Sequence, residues 1–229
     1  MKRIVLLIVS LVVLAMVFAM QPARKRAPRK KVEDKRIFLV HADNLHYNQF
    51  QNGDAQVLHG HVHFRHVGAN LYCDSAHFYE QSNSFEAFGH VKMVQGDTLS
   101  LLSDYAYYDG NDQLAQARYN VVLKHRKSTL YTDSLDYDRM YNFGNFFEGG
   151  KLVDGKSTLT SDWGEYHTDT KMAMFYYDVR LKDQKMFLTT DSLYYDTRTS
   201  MAHIVCPSHI TSGGSTIYSE DGYYNTKTE

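Results

Sequence analysis

The sequence predicts an all-β repeat protein: seven copies of a two-strand unit of about 29 residues follow an N-terminal secretion segment. Three observations carry this prediction. An acidic residue recurs with an aromatic residue four positions later, at intervals of 31, 30, 29, 29, 29 and 29 residues. Aliphatic and small residues recur at fixed offsets from that acid, and two turn clusters separate the strands of each unit.

The N-terminus has the composition of a secretory signal. Two basic residues follow the initiating methionine, and the chain then runs apolar from Ile4 to Ala19 with only Ser10 interrupting. We predict a signal peptide over residues 1–19, cleaved after Ala19. An uncleaved membrane anchor is the alternative, although the apolar run is shorter than the ~20 residues of a bilayer span.

Residues 20–36 are predicted to be a basic disordered linker. They contain eight Lys or Arg residues and two of the three prolines of the chain. Attraction to an anionic membrane surface is one interpretation, and a solvated tether is the other.

Residues 37–229 are predicted to form one domain, and its charge limits its partners. Of 25 basic and 26 acidic residues, 10 basic and 2 acidic lie in residues 1–36, so the rest carries a net charge of −9. Such an acidic body argues against nucleic acid as a partner.

Seven acids anchor the repeat and are predicted to stabilise a bend in each first strand. They are Asp43, Asp74, Asp104, Asp133, Asp162, Asp191 and Glu220. Three residues before them stand the aliphatic residues Val40, Leu71, Leu101, Leu130, Leu159, Leu188 and Ile217. Four residues after them stand Tyr47, Phe78, Tyr108, Tyr137, Tyr166, Tyr195 and Tyr224.

The parity of these columns predicts a corner in each first strand. Offsets −3 and −1 lie on one face of a straight strand, whereas +2 and +4 lie on the other. Both sets nevertheless consist of apolar or small residues. A bulge at the acid would shift the alternation by one step and bring both sets to the interior.

A second strand follows in each unit, separated by turns rich in Gly, Asn, Asp and Ser. These strands are predicted over Val57–Arg65, Ala87–Val94, Ala117–Lys124, Phe146–Val153, Met174–Leu181 and Ala202–Ile210.

Three alternating histidines, His59, His61 and His63, would project from one face of a straight strand, a geometry that can bind zinc or copper. A solvent-facing polar strand is the simpler interpretation, and we predict no metal site and no cofactor.

The ladder of acids could also be interpreted as a glycosidase or lyase site, because paired carboxylates carry out acid and base catalysis. An active site interrupts a repeat in one or two units, whereas this acid recurs in all seven. We therefore predict that the protein is not an enzyme.

Cys73 and Cys206 leave two alternatives open, a disulfide in an exported chain or two free thiols in strands. Trp163 is the only tryptophan, and we predict a surface or groove-rim position for it.

These columns, followed by a short strand with Gly-x-Val as in Gly60-His61-Val62 and Gly89-His90-Val91, resemble the OstA/LptA family over roughly residues 37–229. The tyrosine-rich version is similar to the OstA-like proteins of Bacteroidetes. The resemblance implies a twisted β-jellyroll of antiparallel strands, about 13 to 14 of them, with open ends.

The resemblance also implies a function. Family members are periplasmic components of lipopolysaccharide transport that shield lipid A acyl chains in an apolar trough and stack by their edge strands, with themselves or with other transport components. The −3 and +4 columns, from Val40 to Ile217 and from Tyr47 to Tyr195, would line the trough. The +4 column departs from the family, in which smaller aliphatic residues are commoner.

Two alternatives remain. A parallel β-helix that binds or cleaves polysaccharide fits a 29-residue period nearly as well, and a structural scaffold of the cell envelope is the other. Strand polarity discriminates the first alternative, because adjacent strands are antiparallel in the jellyroll and parallel in the β-helix.

Overall fold

The computed structural model describes residues 35–47 and 54–227. The predicted signal peptide over residues 1–19 and most of the predicted linker lie outside the described residues. In the described part, no helix has the length and apolar character needed to cross a bilayer.

All regular elements of the described residues are β-strands. In chain order they are β1 (Phe38–His41), β2 (Asn44–Tyr47), β3 (Gln56–His66), β4 (Ala69–Tyr79), β5 (Ser84–Gln95), β6 (Leu99–Asp109), β7 (Leu114–His125), β8 (Ser128–Asp138), β9 (Phe143–Phe146), β10 (Gly150–Asp154), β11 (Ser157–Ser161), β12 (Trp163–His167), β13 (Met172–Lys182), β14 (Met186–Asp196), β15 (Met201–Ile204), β16 (Ser208–Ser212), β17 (Ser215–Ser219) and β18 (Gly222–Asn225).

The 18 strands correspond to 13 long strands of the predicted two-strand units, because five long strands are divided at the corner. The divided strands are β1 with β2, β9 with β10, β11 with β12, β15 with β16, and β17 with β18. The other eight bend without a break. The all-β fold of 13 to 14 antiparallel strands is thus confirmed.

Every strand pairing is antiparallel, and all 18 strands belong to one sheet in which long strands that follow one another along the chain lie side by side. The parallel β-helix is therefore wrong for this chain. The two turns of each unit are short enough to join neighbouring antiparallel strands directly, as in hairpins.

A β-bulge accompanies the acid in each unbroken strand. Opposite Asp74, the neighbouring strand β3 inserts two residues, Gly60 and His61, with φ of 77° and 47°. The same two-against-one arrangement recurs opposite Asp104, Asp133 and Asp191. Consecutive residues with positive φ turn the chain sharply, so the side-chain alternation shifts at this point.

The row of bulges divides the sheet into two halves that fold onto each other. Half-sheet 1 contains the residues before the acid in each first strand and after the bulge in each second strand, and half-sheet 2 contains the rest. Phe64 of half-sheet 1 stacks on Phe85 of half-sheet 2 at 4.3 Å between ring centroids, and it also contacts Phe78 of half-sheet 2. The core therefore lies between the two halves.

Candidate functional site

An unbroken apolar ladder crosses the inner face of half-sheet 1, with one side chain from each of the 13 long strands. Following cross-strand pairing, its members are Leu39, Phe64, Leu71, Met93, Leu101, Leu123, Leu130, Leu152, Leu159, Leu181, Leu188, Ile210 and Ile217. At about 4.8 Å per strand the ladder is roughly 58 Å long. Its length is that of a path through the molecule rather than of a compact pocket.

The sequence identified the first-strand members of this ladder from Leu71 to Ile217, but in the first unit it named Val40 where the ladder has Leu39. The second-strand members stand two positions after the valine of the bulge in several units, as Phe64 does after Val62 and Met93 after Val91. That offset is the signal that could have identified them. In the first unit, Leu39 pairs with Phe64, and Val40 stands at a register irregularity with 51% of its surface exposed.

Tyrosines alternate with small residues on the inner face of half-sheet 2. Tyr137 lies between Ala115 and Gly144 on the neighbouring strands, and Tyr195 lies between Ala173 and Ala202. Each ring thus covers the space that its small neighbours leave. This pairing explains how a tyrosine-rich column fits inside the fold.

The predicted columns are buried in the central units and exposed at the ends. Leu71, Leu101, Leu130, Leu159 and Leu188 are at most 3% exposed, and Phe78, Tyr108, Tyr137, Tyr166 and Tyr195 are at most 6% exposed. Tyr47 and Ile217, in contrast, are 57% and 51% exposed. Two adjoining cavities, of about 280 and 380 Å³, lie at the N-terminal end and share Gln56 and Glu80 in their walls.

Tyrosine hydroxyls close the two half-sheets at the edge opposite the bulges. Tyr108 Oη lies 2.8 Å from His66 Nδ1, and Tyr166 Oη lies 2.7 Å from His125 Nδ1. Tyr195 donates to Asp154 Oδ2 at 2.9 Å. The tyrosines belong to half-sheet 2 and their partners to the far edge of half-sheet 1. We call this row of contacts the seam.

Arg139 joins both sides of the seam in the N-terminal half. Its Nη1 donates to Tyr108 Oη at 2.6 Å, and its Nη2 donates to the carbonyl of Val67 at 2.8 Å. Because a guanidinium only donates, the Tyr108 hydroxyl hydrogen is left for His66. Arg139 is only 6% exposed, and hydrogen bonds to carbonyl and hydroxyl oxygens compensate the burial of its charge.

Asp154 has the corresponding place in the C-terminal half. Its carboxylate is fully buried and accepts Lys127 Nζ at 3.0 Å, Ser200 Oγ at 2.8 Å and the Tyr195 hydroxyl. Burial raises the pKa of Asp154, but these donors outweigh it and hold the pKa below its ordinary value.

The repeated acids lie outside the core, on the ridge formed by the bulges. Asp74 accepts a hydrogen bond from His90 Nδ1 at 2.7 Å, and Asp104 accepts one from Asn120 Nδ2 at 2.6 Å. A Cβ placed on Gly89, the other bulge residue, would collide with Asp74 Oδ2. Glycine is therefore required at position 89, although Tyr119 and Tyr177 occupy the corresponding bulge position in later units.

The three alternating histidines do not share one face. The bulge displaces His61, whose Nδ1 bonds Asp43 Oδ2 at 2.8 Å, and it separates His59 in half-sheet 2 from His63 in half-sheet 1. The prediction of a common face is wrong because it assumed a straight strand. Among the described residues no group of three potential ligands could hold a metal ion.

Both cysteines are free thiols. Cys73 is buried, and burial raises its pKa to about 12, whereas Cys206 lies 3.1 Å from Thr190 Oγ1. Trp163 is partly exposed on the outer face and packs against Tyr176 at 5.0 Å between ring centroids.

Comparison with solved structures found the LptA-homologous periplasmic component of the lipopolysaccharide transport device of Pseudomonas aeruginosa, LptH. The two chains are 12% identical over 58% of this chain and 79% of that chain, with a TM-score of 0.26, a likeness too weak to support an inference. Among proteins with curated descriptions, none matches. The family model for OstA-like protein matches residues 34–189 and again residues 176–229, and so covers the whole described domain. The chain belongs to the family of OstA-like proteins.

Proposed function

We propose that this protein is a periplasmic carrier of lipopolysaccharide that shields lipid A acyl chains between its two half-sheets. The observation that carries the proposal is the apolar ladder, which runs through all 13 long strands. An acyl chain in water costs about 0.8 kcal/mol for each exposed methylene, so a carrier needs a continuous apolar path. Family membership and the repeat columns support the same function.

Entry of an acyl chain requires the seam to part, because the central columns leave almost no surface exposed. The seam consists mainly of polar contacts, such as those of Tyr166 with His125 and of Tyr195 with Asp154. Such groups can exchange their partners for water as the seam opens, at a small net cost per hydrogen bond. The apolar ladder behind them would then contact the acyl chain.

The terminal strands provide the proposed contacts with partners. In the described sheet, β1 and β2 pair only with β3, and β17 and β18 pair only with β16 and β15. Edges of this kind are templates for further strands. We propose that they stack on other copies or on other transport components and so extend the ladder between the two membranes.

The acids have a structural role in this proposal. Asp43, Asp74 and Asp104 are exposed and bond residues of the bulges, and they lie on the ridge away from the interior. We therefore propose that the protein acts by binding and not by catalysis.

Photo-crosslinking in cells tests the function. A photoreactive residue at Leu130 or Leu159 should capture lipopolysaccharide, because both positions belong to the ladder. The same residue at Asp133, three residues from Leu130 but on the ridge, is the matched control and should not. Equal capture at Leu130 and Asp133 would leave the carrier function without support.

A further inference from the structure

The outer faces of the two half-sheets carry opposite charges. The outward side chains of half-sheet 1 include six basic residues and, among the described residues, no acidic one. Half-sheet 2 has one basic residue, Arg118, and six acidic residues on its outer face. Since the domain has a net charge of −9, the basic face is not a consequence of its composition.

The basic residues recur with the repeat, each on a second strand. We call them the basic face: Arg65, Lys92, Lys124, Lys151, Arg180 and Lys182. Second strands alternate with first strands, so the positive charges recur about every 10 Å along the molecule. First strands contribute hydroxyl groups between them, including those of Thr129 and Thr160.

These charges are available to a ligand. All six side chains are exposed. Arg180 pairs with Asp178, whereas Lys92, Lys124 and Lys151 enter no ion pair with a described residue. Exposed cations spaced along a face attract an anion that has several charges more strongly than one that has a single charge.

The basic face adjoins the seam through Arg65, Lys124 and Lys182, whereas Lys92, Lys151 and Arg180 lie two residues closer to the bulges. Lys124 stands at the end of β7 next to His125, whose ring bonds Tyr166, and Lys127 reaches the buried Asp154 from the following turn. An amphiphile with its acyl chains between the half-sheets would leave through the seam beside these residues. Its headgroup would then lie over the edge of half-sheet 1, within reach of the basic face.

We propose that the basic face binds the phosphate groups of the amphiphile whose acyl chains occupy the interior. The inference rests on the proposed function and names the headgroup chemistry: phosphates held outside by ammonium and guanidinium groups, with threonine hydroxyls as further donors. Phosphates on a glycolipid headgroup fit this face because they are anionic and can contact neighbouring repeats in succession as the lipid moves.

Binding of two lipids to the full chain tests the proposal. Bisphosphorylated lipid A and the same lipid with its phosphates removed have identical acyl chains, and dissociation constants are measured for both at low ionic strength. The test variant is Lys124→Gln with Lys151→Gln. The matched control is Lys124→Arg with Lys151→Arg, which keeps both positive charges at the same two positions.

The wild-type protein should bind the phosphorylated lipid more tightly, and the test variant should lose about tenfold in affinity for it. Affinity for the dephosphorylated lipid should not change, and the control variant should behave as the wild type. An equal loss for both lipids, an equal loss in the control, or a change in self-association alone would overturn the basic face as a phosphate site. Binding of both lipids without preference would do the same and leave the proposed function intact, whereas binding of neither would refute the proposed function itself.

Discussion

The central and terminal repeats have the same residues at the same offsets but bury them to very different extents. Leu188 of the sixth repeat is fully buried, whereas Ile217, the corresponding residue of the seventh, is 51% exposed. Both pair with Ile210, one from each side. Within the described sheet, a repeated side chain therefore becomes part of the core only where strands flank it on both sides.

Truncation of a side chain in the apolar ladder should give the largest difference in stability between a central and a terminal repeat. We expect Leu188→Ala to lower the free energy of unfolding by about 2–5 kcal/mol, because it leaves a cavity between Leu181 and Ile210. Ile217→Ala should cost well under ~1 kcal/mol, since water already reaches that side chain. Chemical denaturation of the two variants and the wild type measures both values.

Equal losses for the two substitutions would contradict the contrast between central and terminal repeats. They would show that the last repeat is covered in solution, as stacking of a second copy on β17 and β18 would do. Repeating the measurement at several protein concentrations distinguishes that case, because only self-association makes stability depend on concentration.

The sequence was sufficient to predict the repeat, the inward columns and the corner, because these depend on contacts between neighbouring residues and strands. It did not predict the seam. Tyr108 and His66 are 42 residues apart, and Tyr195 and Asp154 are 41 apart, so their contact depends on how far the half-sheets close onto each other. A strand pattern determines which face a residue occupies but not the angle between two faces.

The three histidines considered as a metal site show a related limit, because the strand pattern alone does not include a bend in the strand. Alternation places His59, His61 and His63 together only on a straight strand, and the bulge required by the acid column displaces His61 towards Asp43. The corner was predicted only for the first strands. If it had also been assigned to the neighbouring second strands, the three histidines would not have been expected on one face. The second-strand half of the ladder, including Phe64 and Met93, would have followed from the same step.

Loss of a tyrosine hydroxyl should lower stability by an intermediate amount, which again depends on whether the tyrosine lies in a central or a terminal repeat. Tyr195→Phe removes a donor to Asp154, whose carboxylate is fully buried, and should cost about 1.5–3 kcal/mol of stability. Tyr224→Phe removes the bond to Asp183 at the C-terminal end, where Tyr224 is only partly buried, and should cost about 1 kcal/mol or less. Denaturant titration of both variants measures the difference, and a larger loss for Tyr224→Phe would contradict it.

The smallest effect on stability is expected from the protonation of two histidines, one at the first repeat and one in the seam. The hydrogen bond to Asp43 raises the pKa of His61 above 6.5, whereas burial lowers the pKa of His125 below 6.5. The contribution of His61 to stability is complete below pH 6.5 and is lost as the pH rises through its folded pKa. That of His125 is present above pH 6.5 and is lost as the pH falls through its folded pKa.

NMR titration of the two rings between pH 5 and 8 should therefore show His61 charged where His125 is neutral. Asp43→Asn is the control, because it should return the pKa of His61 towards its ordinary value and leave His125 unchanged. Shifts in the same direction for both rings would refute the assignment. A neutral His125 retains a ring nitrogen that can accept the Tyr166 hydroxyl hydrogen, whereas a protonated ring can only donate to the Tyr166 oxygen, so protonation would reverse the direction of this seam contact.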